Sequence, residues 1–156
     1  MLKKYYLIIV LISLLCLSFN CSKSENDFPA NKPTIDKNLM AEMVKKEFLH
    51  AWEGYKKYAW GHDDLKPLSK SYHDWYNESL LMTPVDALST MLIMGLESEA
   101  ALTKKLILKK LNFNKNIDVQ LFEINIRLLG GLLSVYQLDG DKRLLDLARD
   151  LADRLL

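Results

Sequence analysis

The chain has 156 residues, which is enough for one small domain with its own hydrophobic core. Hydrophobic residues make up 49% of the sequence, and this excludes disorder over most of its length. The formal net charge of +1 shows no basic excess, so the composition does not favour nucleic acid as a partner.

Residues 1–20 have the pattern of a targeting signal. Lys3 and Lys4 form a positive start, and an almost unbroken apolar run follows them. Cys21 closes this run, as in the bacterial lipoprotein signal, in which that cysteine is lipidated and becomes the new N-terminus. An ordinary cleaved signal and an uncleaved anchor remain open as alternatives. We therefore expect localisation to the bacterial cell envelope, with a lipid on Cys21 holding the chain at a membrane.

The cysteines and the next segment fit an exported domain on a tether. Cys16 and Cys21 are the two cysteines, and both lie in the signal region. Packing, and not an intramolecular disulfide, is therefore expected to hold the mature domain together. Residues 21–37 are polar, contain prolines and have no apolar period, which predicts a flexible tether. The folded domain is predicted to span 38–156.

The first predicted helix has one apolar face. Its side chains recur at three- and four-residue spacing: Met40, Val44, Phe48, Trp52, Tyr55 and Ala59. Thr34 or Asp36 is a candidate cap, and Gly61 begins the segment that ends the helix. Residues 67–82 have no clear period and are predicted to form a long irregular loop, which points to a functional segment.

A second helix is predicted from Thr83. Thr83 would cap it, Pro84 suits its first position, and Asp86 would serve as a capping-box acid. Gly95 is typical of a helix stop.

Three more helices are predicted after Gly95. Ser98 would cap the third, Asp118 the fourth, and Gly140-Asp141 would open the fifth, inside which the chain stops at Leu156. This ending predicts a truncated or split gene product. No sustained period-two run is present, so we predict no strands and an all-α fold of antiparallel helical hairpins.

The fourth helix is unusual because it has almost no polar face, which predicts burial on most sides. Glu123 and Arg127 lie four residues apart within it, and Gly130-Gly131 follows, which suggests a close approach of two backbones. Glu123 could be a first-turn acid that pairs with Arg127. It could also be a partly buried carboxyl at the floor of a pocket, where burial favours the protonated form and Arg127 opposes it. The pattern alone leaves both interpretations open.

Three ordered blocks carry a family resemblance. Residues 48–67, with Ala59-Trp60-Gly61-His62-Asp63-Asp64-Leu65, are similar to a signature that ends in Ala-Trp-Gly-His-Asp-Glu-Leu. Residues 85–96 are similar to an Ile-Asp-Ala-Leu-Asp-Thr stretch, and residues 118–134 contain a Phe-Glu motif. Over roughly 46–156 the chain thus resembles the class I α-mannosidases of glycoside hydrolase family 47.

The resemblance implies an (α/α) barrel, a bound calcium, and inverting hydrolysis of terminal α-1,2-linked mannose on mannose-rich glycans. It maps the catalytic acid to Glu123 and a sugar-lining arginine to Arg127. Inverting hydrolysis needs a second carboxylate for the attacking water. In the family that base, the other acidic pocket residues and the calcium-binding threonine lie in later helices. We therefore expect no metal ligand in this chain, and no turnover by the chain alone.

Other candidates are weaker. The resemblance places His62-Asp63-Asp64 near the pocket rim, which makes His62 and Asp63 candidates for binding the sugar, although such a triplet is more typical of a solvated turn. Trp75 and Tyr76, in the irregular loop, are candidates for stacking on sugar rings, whereas aromatic residues at helical spacing are expected in the core. The alternative function is a non-catalytic, lipid-tethered helical module that binds a glycan or a protein.

Overall fold

The computed structural model describes residues 35–156 of the chain; the signal, Cys21 and most of the tether lie outside the described residues. The elements are named here in chain order: α1 (Lys37–Tyr58), β1 (Asp64–Lys66), β2 (Ser71–His73), α2 (Met82–Ile93), α3 (Glu97–Lys110), α4 (Leu121–Glu123), the π-helix π1 (Ile124–Leu129), α5 (Gly130–Asp139) and α6 (Lys142–Leu155). None of the described helices combines the length and the apolar character that crossing a membrane requires.

Helix α1 begins directly after Asp36, which was one of the two predicted caps. Asp36 Oδ1 accepts hydrogen bonds from the backbone N–H groups of Asn38 at 3.0 Å and Leu39 at 3.1 Å. The predicted apolar face is buried in the second half of the helix, at Trp52 and Tyr55, and exposed in the first half. The indole Nε1–H of Trp52 donates to Glu99 at 2.9 Å, so the buried half is tied to α3.

The prediction that the chain has no strands is wrong. Strands β1 and β2 pair in antiparallel register, with Asp64 opposite His73 and Lys66 opposite Ser71. The loop predicted as irregular therefore contains a hairpin. Each strand has three residues, which is too short for a period-two pattern to be recognised.

The predicted starts of α2 and α3 also need correction. Helix α2 begins at Met82, after Leu81 in the left-handed region with φ 56°, and the Thr83 hydroxyl donates to the Asp63 carbonyl instead of capping. Helix α3 begins at Glu97, so Ser98 lies in its first turn. Gly95 has φ 69° and ends the α2–α3 turn as predicted.

At the boundaries of the last helices, one predicted cap is wrong and two predicted turn residues are confirmed. Gln120, and not Asp118, precedes the first helical residue, and no side chain caps that end. Gly140, with φ 77°, ends α5. Asp141 then accepts from the backbone N–H of Arg143 at 3.1 Å and caps α6, as its position predicts. A two-residue connection makes α5 and α6 a helical hairpin.

The core lies where π1 and α5 pack on α2 and α6. Its fully buried side chains include Val85, Leu88, Met91, Ile124, Leu128, Leu132, Val135 and Leu144. A Cβ on Gly131 would lie 2.9 Å from Val85 Cγ1 and 3.5 Å from the Val85 carbonyl oxygen, so the predicted close backbone approach is confirmed.

The opposite side of this helical run is open. Phe122 is 65% exposed and Ile126 is 52% exposed, and Leu121 is exposed beside them. The prediction that the fourth helix is buried on most sides is therefore wrong for the described residues. The apolar pattern is present, but only one of its two faces is covered.

Candidate active site

Arg127 joins two carboxylates from different helices. Its Nε–H donates to Glu123 Oε2 at 2.6 Å, and its Nη1–H donates to Asp86 Oδ2 at 2.8 Å. The hydrogen bond with Asp86, and then that with Glu123, raises the pKa of the Arg127 guanidinium above its ordinary value. The Glu123 side chain is 22% exposed, so the predicted pairing with Arg127 is confirmed, and the role as an acid at the floor of a pocket stays a prediction.

The helical geometry at this site is π, and no pattern in the sequence predicts it. Segment π1 starts directly after Glu123 and carries Arg127. The backbone N–H of Gly130 reaches back five residues to the Asn125 carbonyl. Such π segments within α-helices are frequent at functional sites.

Trp75 lies beside this arginine. The Arg127 guanidinium carbon is 5.4 Å from the centroid of the Trp75 ring, which is cation–π distance. The indole Nε1–H of Trp75 donates to Asp64 Oδ2. The predicted sugar contact of Trp75 is not tested by these contacts, but they give the ring a protein partner at its edge and at its face.

Asp63 is a buried organising residue. Its side chain is 0% exposed, and its carboxylate accepts the backbone N–H groups of Trp75 at 3.0 Å, Leu80 at 2.8 Å and Met82 at 3.1 Å. The Ser79 hydroxyl donates to the same carboxylate at 3.1 Å. The solvated-turn interpretation is therefore wrong for Asp63. These contacts show that Asp63 holds the loop, and its part in sugar binding stays a prediction.

His62 lies at the partly exposed edge of the same loop. Its Nδ1 is 2.9 Å from Asp74 Oδ2, and its ring stacks on Tyr72 with 3.4 Å between centroids. No described hydrogen bond joins His62 to Glu123 or Arg127. The structure thus brings together Glu123, Arg127 and Trp75 among the predicted site residues.

Sequence reasoning missed two carboxylates of the site. Asp86 was predicted to cap a helix, and Asp64 was given no role apart from its neighbours. Asp86 and Arg127 are 41 residues apart, and a helical pattern carries no information about such a pair. The one available signal was that Asp86 falls inside the second block of the family resemblance.

The described residues do not fit a calcium site. Residues 35–156 contain no cluster of three or more His, Cys, Asp or Glu side chains suited to a metal. Glu123 and Asp86 already bind the guanidinium of Arg127, whose positive charge opposes a cation beside it. The calcium that the family resemblance implies would therefore need ligands other than these two carboxylates.

Comparisons with known proteins identify the family of this chain. The family model for glycosyl hydrolase family 47 matches residues 47–156, which is more than half of the chain. The human endoplasmic reticulum mannosyl-oligosaccharide 1,2-alpha-mannosidase is 53% identical over 119 residues, which cover 76% of this chain and 17% of that protein. Mannosyl-oligosaccharide 1,2-alpha-mannosidase MNS1 of Arabidopsis thaliana is 43% identical over 127 residues, covering 81% of this chain and 22% of that protein.

A solved structure shows the same fold. An alpha-1,2-mannosidase from Trichoderma reesei superposes with a TM-score of 0.68 at 31% identity, covering 74% of this chain and 27% of that one. The helical hairpins described above are thus part of an (α/α) barrel, as predicted. The chain spans about a fifth of the length of the curated relatives it matches. By its sequence and its fold, the chain belongs to glycosyl hydrolase family 47.

Proposed function

We propose that this chain supplies the acid-bearing segment of an inverting α-1,2-mannosidase that trims terminal mannose from mannose-rich glycans. The observation that carries the proposal is the cluster of Glu123, Arg127 and Asp86 around a π-helical segment inside the family match. Glu123 is the general acid: it donates its proton to the glycosidic oxygen as the bond to the leaving sugar breaks.

Arg127 faces two carboxylates in this cluster. Its guanidinium binds Glu123 at 2.6 Å and Asp86 at 2.8 Å, so one positive charge is shared between them. Glu123 Oε1 is outside the described hydrogen bonds to Arg127 and is the oxygen to which we assign the proton.

The base is not assigned here. An inverting glycosidase needs a second carboxylate at about 6.5–9.5 Å from the acid, with a water between it and the sugar. Asp86 is held by the same guanidinium as Glu123, which gives it a role in sugar binding and charge balance in this proposal. We accordingly expect the chain alone to bind mannosides weakly and to hydrolyse none.

A chimera tests the proposal. The matched segment of the human endoplasmic reticulum enzyme is replaced by residues 38–156 of this chain, and release of mannose from α-1,2-mannobiose is measured. We expect the chimera to hydrolyse the disaccharide and the isolated chain not to. A folded chimera without activity, together with mannobiose binding by the isolated chain, would favour the non-catalytic module instead.

We also propose that the chain is exported and anchored in a bacterial cell envelope through a lipid on Cys21. The sequence pattern of residues 1–20 supports this, and these residues lie outside the described structure. Expressed in bacteria with labelled palmitate, the chain should incorporate label, and Cys21→Ser should abolish incorporation. Cys16→Ser is the matched control and should retain the label; loss of label in both variants, or in neither, would reject this anchor.

A further inference from the structure

We propose that Trp75 is a positioning residue for the Glu123–Arg127 pair, and that Asp63 and Asp64 hold Trp75 in place for this task. The inference rests on the proposed role of Glu123 as the acid. It assigns the Asp63-Asp64 dipeptide and the loop after β2 to the geometry of the acid, in place of the sugar contacts that the sequence predicted for Asp63 and Trp75.

Asp63 fixes the backbone at Trp75. One of its carboxylate oxygens accepts from the Trp75 N–H at 3.0 Å, and the other accepts from Leu80 at 2.8 Å and Met82 at 3.1 Å. A single enclosed carboxylate thus binds both the start of the loop and the first residue of α2. Since α2 also carries Asp86, the loop and one partner of Arg127 share an anchor.

Asp64 fixes the ring of Trp75. The indole Nε1–H donates to Asp64 Oδ2, which also lies 3.6 Å from His73 Nδ1 on the facing strand. The hairpin pairs Asp64 directly with His73, so this carboxylate has a defined position. With its backbone bound to Asp63 and its indole nitrogen bound to Asp64, Trp75 cannot turn without breaking a hydrogen bond.

The fixed ring restricts Arg127. The guanidinium lies over the ring face with 5.4 Å from its carbon to the ring centroid. In this position its Nε and Nη1 point to Glu123 and Asp86. Rotation about the side-chain bonds of Arg127 would move the guanidinium away from the Trp75 ring. An arginine side chain without such a support has several rotamers of similar energy, and Glu123 would lose its defined partner.

The next residue of the loop contacts the helix that carries Glu123. The Tyr76 hydroxyl accepts the backbone N–H of Gln120 at 3.2 Å, directly before the first residue of α4. The Tyr76 contact fixes the position of the helix start, and the Trp75 contact fixes the side-chain orientation of Arg127 further along the helix. Two adjacent aromatic side chains therefore position the acid from two directions.

The test is ¹H–¹⁵N NMR of the 156-residue chain, held in detergent micelles because of its apolar N-terminal segment. The readouts are the Arg127 Nε–H and Trp75 Nε1–H resonances, neither of which depends on turnover. In Asp64→Ala both should move to the positions typical of free side chains, while backbone signals of α6 stay. Asp64→Asn keeps an oxygen acceptor for the indole N–H and should restore both resonances.

Asp150→Ala is the matched control, because it removes a carboxylate that binds another arginine, Arg154, at 2.9 Å. It should leave the Arg127 resonance in place. If Asp64→Ala does not fold, Trp75→Leu should release Arg127 and Trp75→Phe should retain it. An Arg127 resonance that is unchanged in Asp64→Ala or in Trp75→Leu would overturn the inference, whatever the activity of Glu123 proves to be.

Discussion

At the scale of single residues, the site depends on a buried carboxylate that binds backbone N–H groups of the loop. Asp63 is enclosed, and its partners are three backbone N–H groups and one hydroxyl. Backbone donors that are buried without an acceptor cost free energy, so a loop with this many inward N–H groups needs such a residue. The sequence shows the residue type but not its burial, which depends on loop residues up to 19 positions away.

Asp63→Ala should lower the free energy of unfolding by about 3 kcal/mol or more, because it leaves several buried donors without an acceptor. Urea denaturation measures the loss. Asp150→Ala, which breaks an exposed pair one helical turn long, should cost at most about 0.5 kcal/mol. Equal losses in the two variants would contradict the role given to Asp63.

The pair of Glu123 and Arg127 shows how far sequence reasoning reaches at this scale. Their four-residue spacing predicted the contact correctly, because helical neighbours are fixed by local geometry. Asp86 and Trp75 could not be placed beside Arg127 in the same way. Their contacts depend on how α2 and the loop pack against π1, which no local pattern records.

At the scale of elements, caps and turns were predicted where the residue acts locally. Asp36, Gly95, Gly140 and Asp141 end or begin helices as expected, since their geometry involves neighbours in sequence. Thr83 and Asp118 did not act as the predicted caps. The Thr83 hydroxyl donates to Asp63, 20 residues earlier, so a tertiary contact replaced the local one.

The two glycines of the central helix make a matched pair of variants. Gly131→Ala would place a Cβ 2.9 Å from Val85 Cγ1, and we expect a loss of about 1–3 kcal/mol in unfolding free energy from overpacking. Gly130→Ala meets only the Asn125 carbonyl oxygen at 3.4 Å and should gain up to about 1 kcal/mol from helix propensity.

Thermal and urea unfolding compare these glycine variants. Val85→Ala in the Gly131→Ala background should recover part of the loss, since it removes the contacting methyl group. No recovery would place the strain elsewhere.

A buried tyrosine of helix α1, Tyr55, should make the stability of the fold depend on pH in the alkaline range. Burial raises the pKa of the Tyr55 hydroxyl far above its ordinary value, and this hydroxyl donates to the His62 carbonyl at 2.6 Å. The folded state therefore keeps the proton that the unfolded state releases near pH 10, so the stability contribution is complete below pH 10 and is lost as pH rises above it.

Tyr55→Phe should flatten the alkaline loss of stability, at a cost of about 0.5–1.5 kcal/mol at neutral pH for the missing hydrogen bond. Urea midpoints between pH 7 and about pH 11 give both quantities. Tyr58→Phe, which changes a partly exposed tyrosine in the last turn of the same helix, is the control and should retain the wild-type profile. A profile that is steep in both variants would contradict the assignment to Tyr55.

At the scale of the whole molecule, the fourth predicted helix has more apolar side chains than the rest of the described chain buries. Phe122 and Ile126, one turn apart, stay exposed beside the site. The chain spans 17% of the human relative it matches, and the proposed function concerns the activity of such a whole enzyme. The helical class of the fold followed from periodicity, while the barrel came from the family resemblance and was confirmed by comparison.

This exposed face should cause self-association of the domain from residue 36 to 156, because contiguous apolar surface favours contact between copies. Sedimentation velocity should show Phe122→Ser/Ile126→Ser shifted toward monomer, with an unchanged melting temperature. Leu68→Ser removes an equally apolar but isolated side chain that is fully exposed, and it should not change the distribution. Equal effects of the two changes would show that the face has no special role.

The assignment of Glu123 as the general acid is tested most directly by how the activity of the chimeric enzyme depends on the leaving group. Glu123→Gln is compared with the unmodified chimera on α-1,2-mannobiose and on an α-mannosyl fluoride, whose leaving group needs no proton. We predict a loss of about 10²–10⁴-fold on the disaccharide and a much smaller loss on the fluoride. Equal losses on the two substrates would contradict the assignment of Glu123 as the general acid.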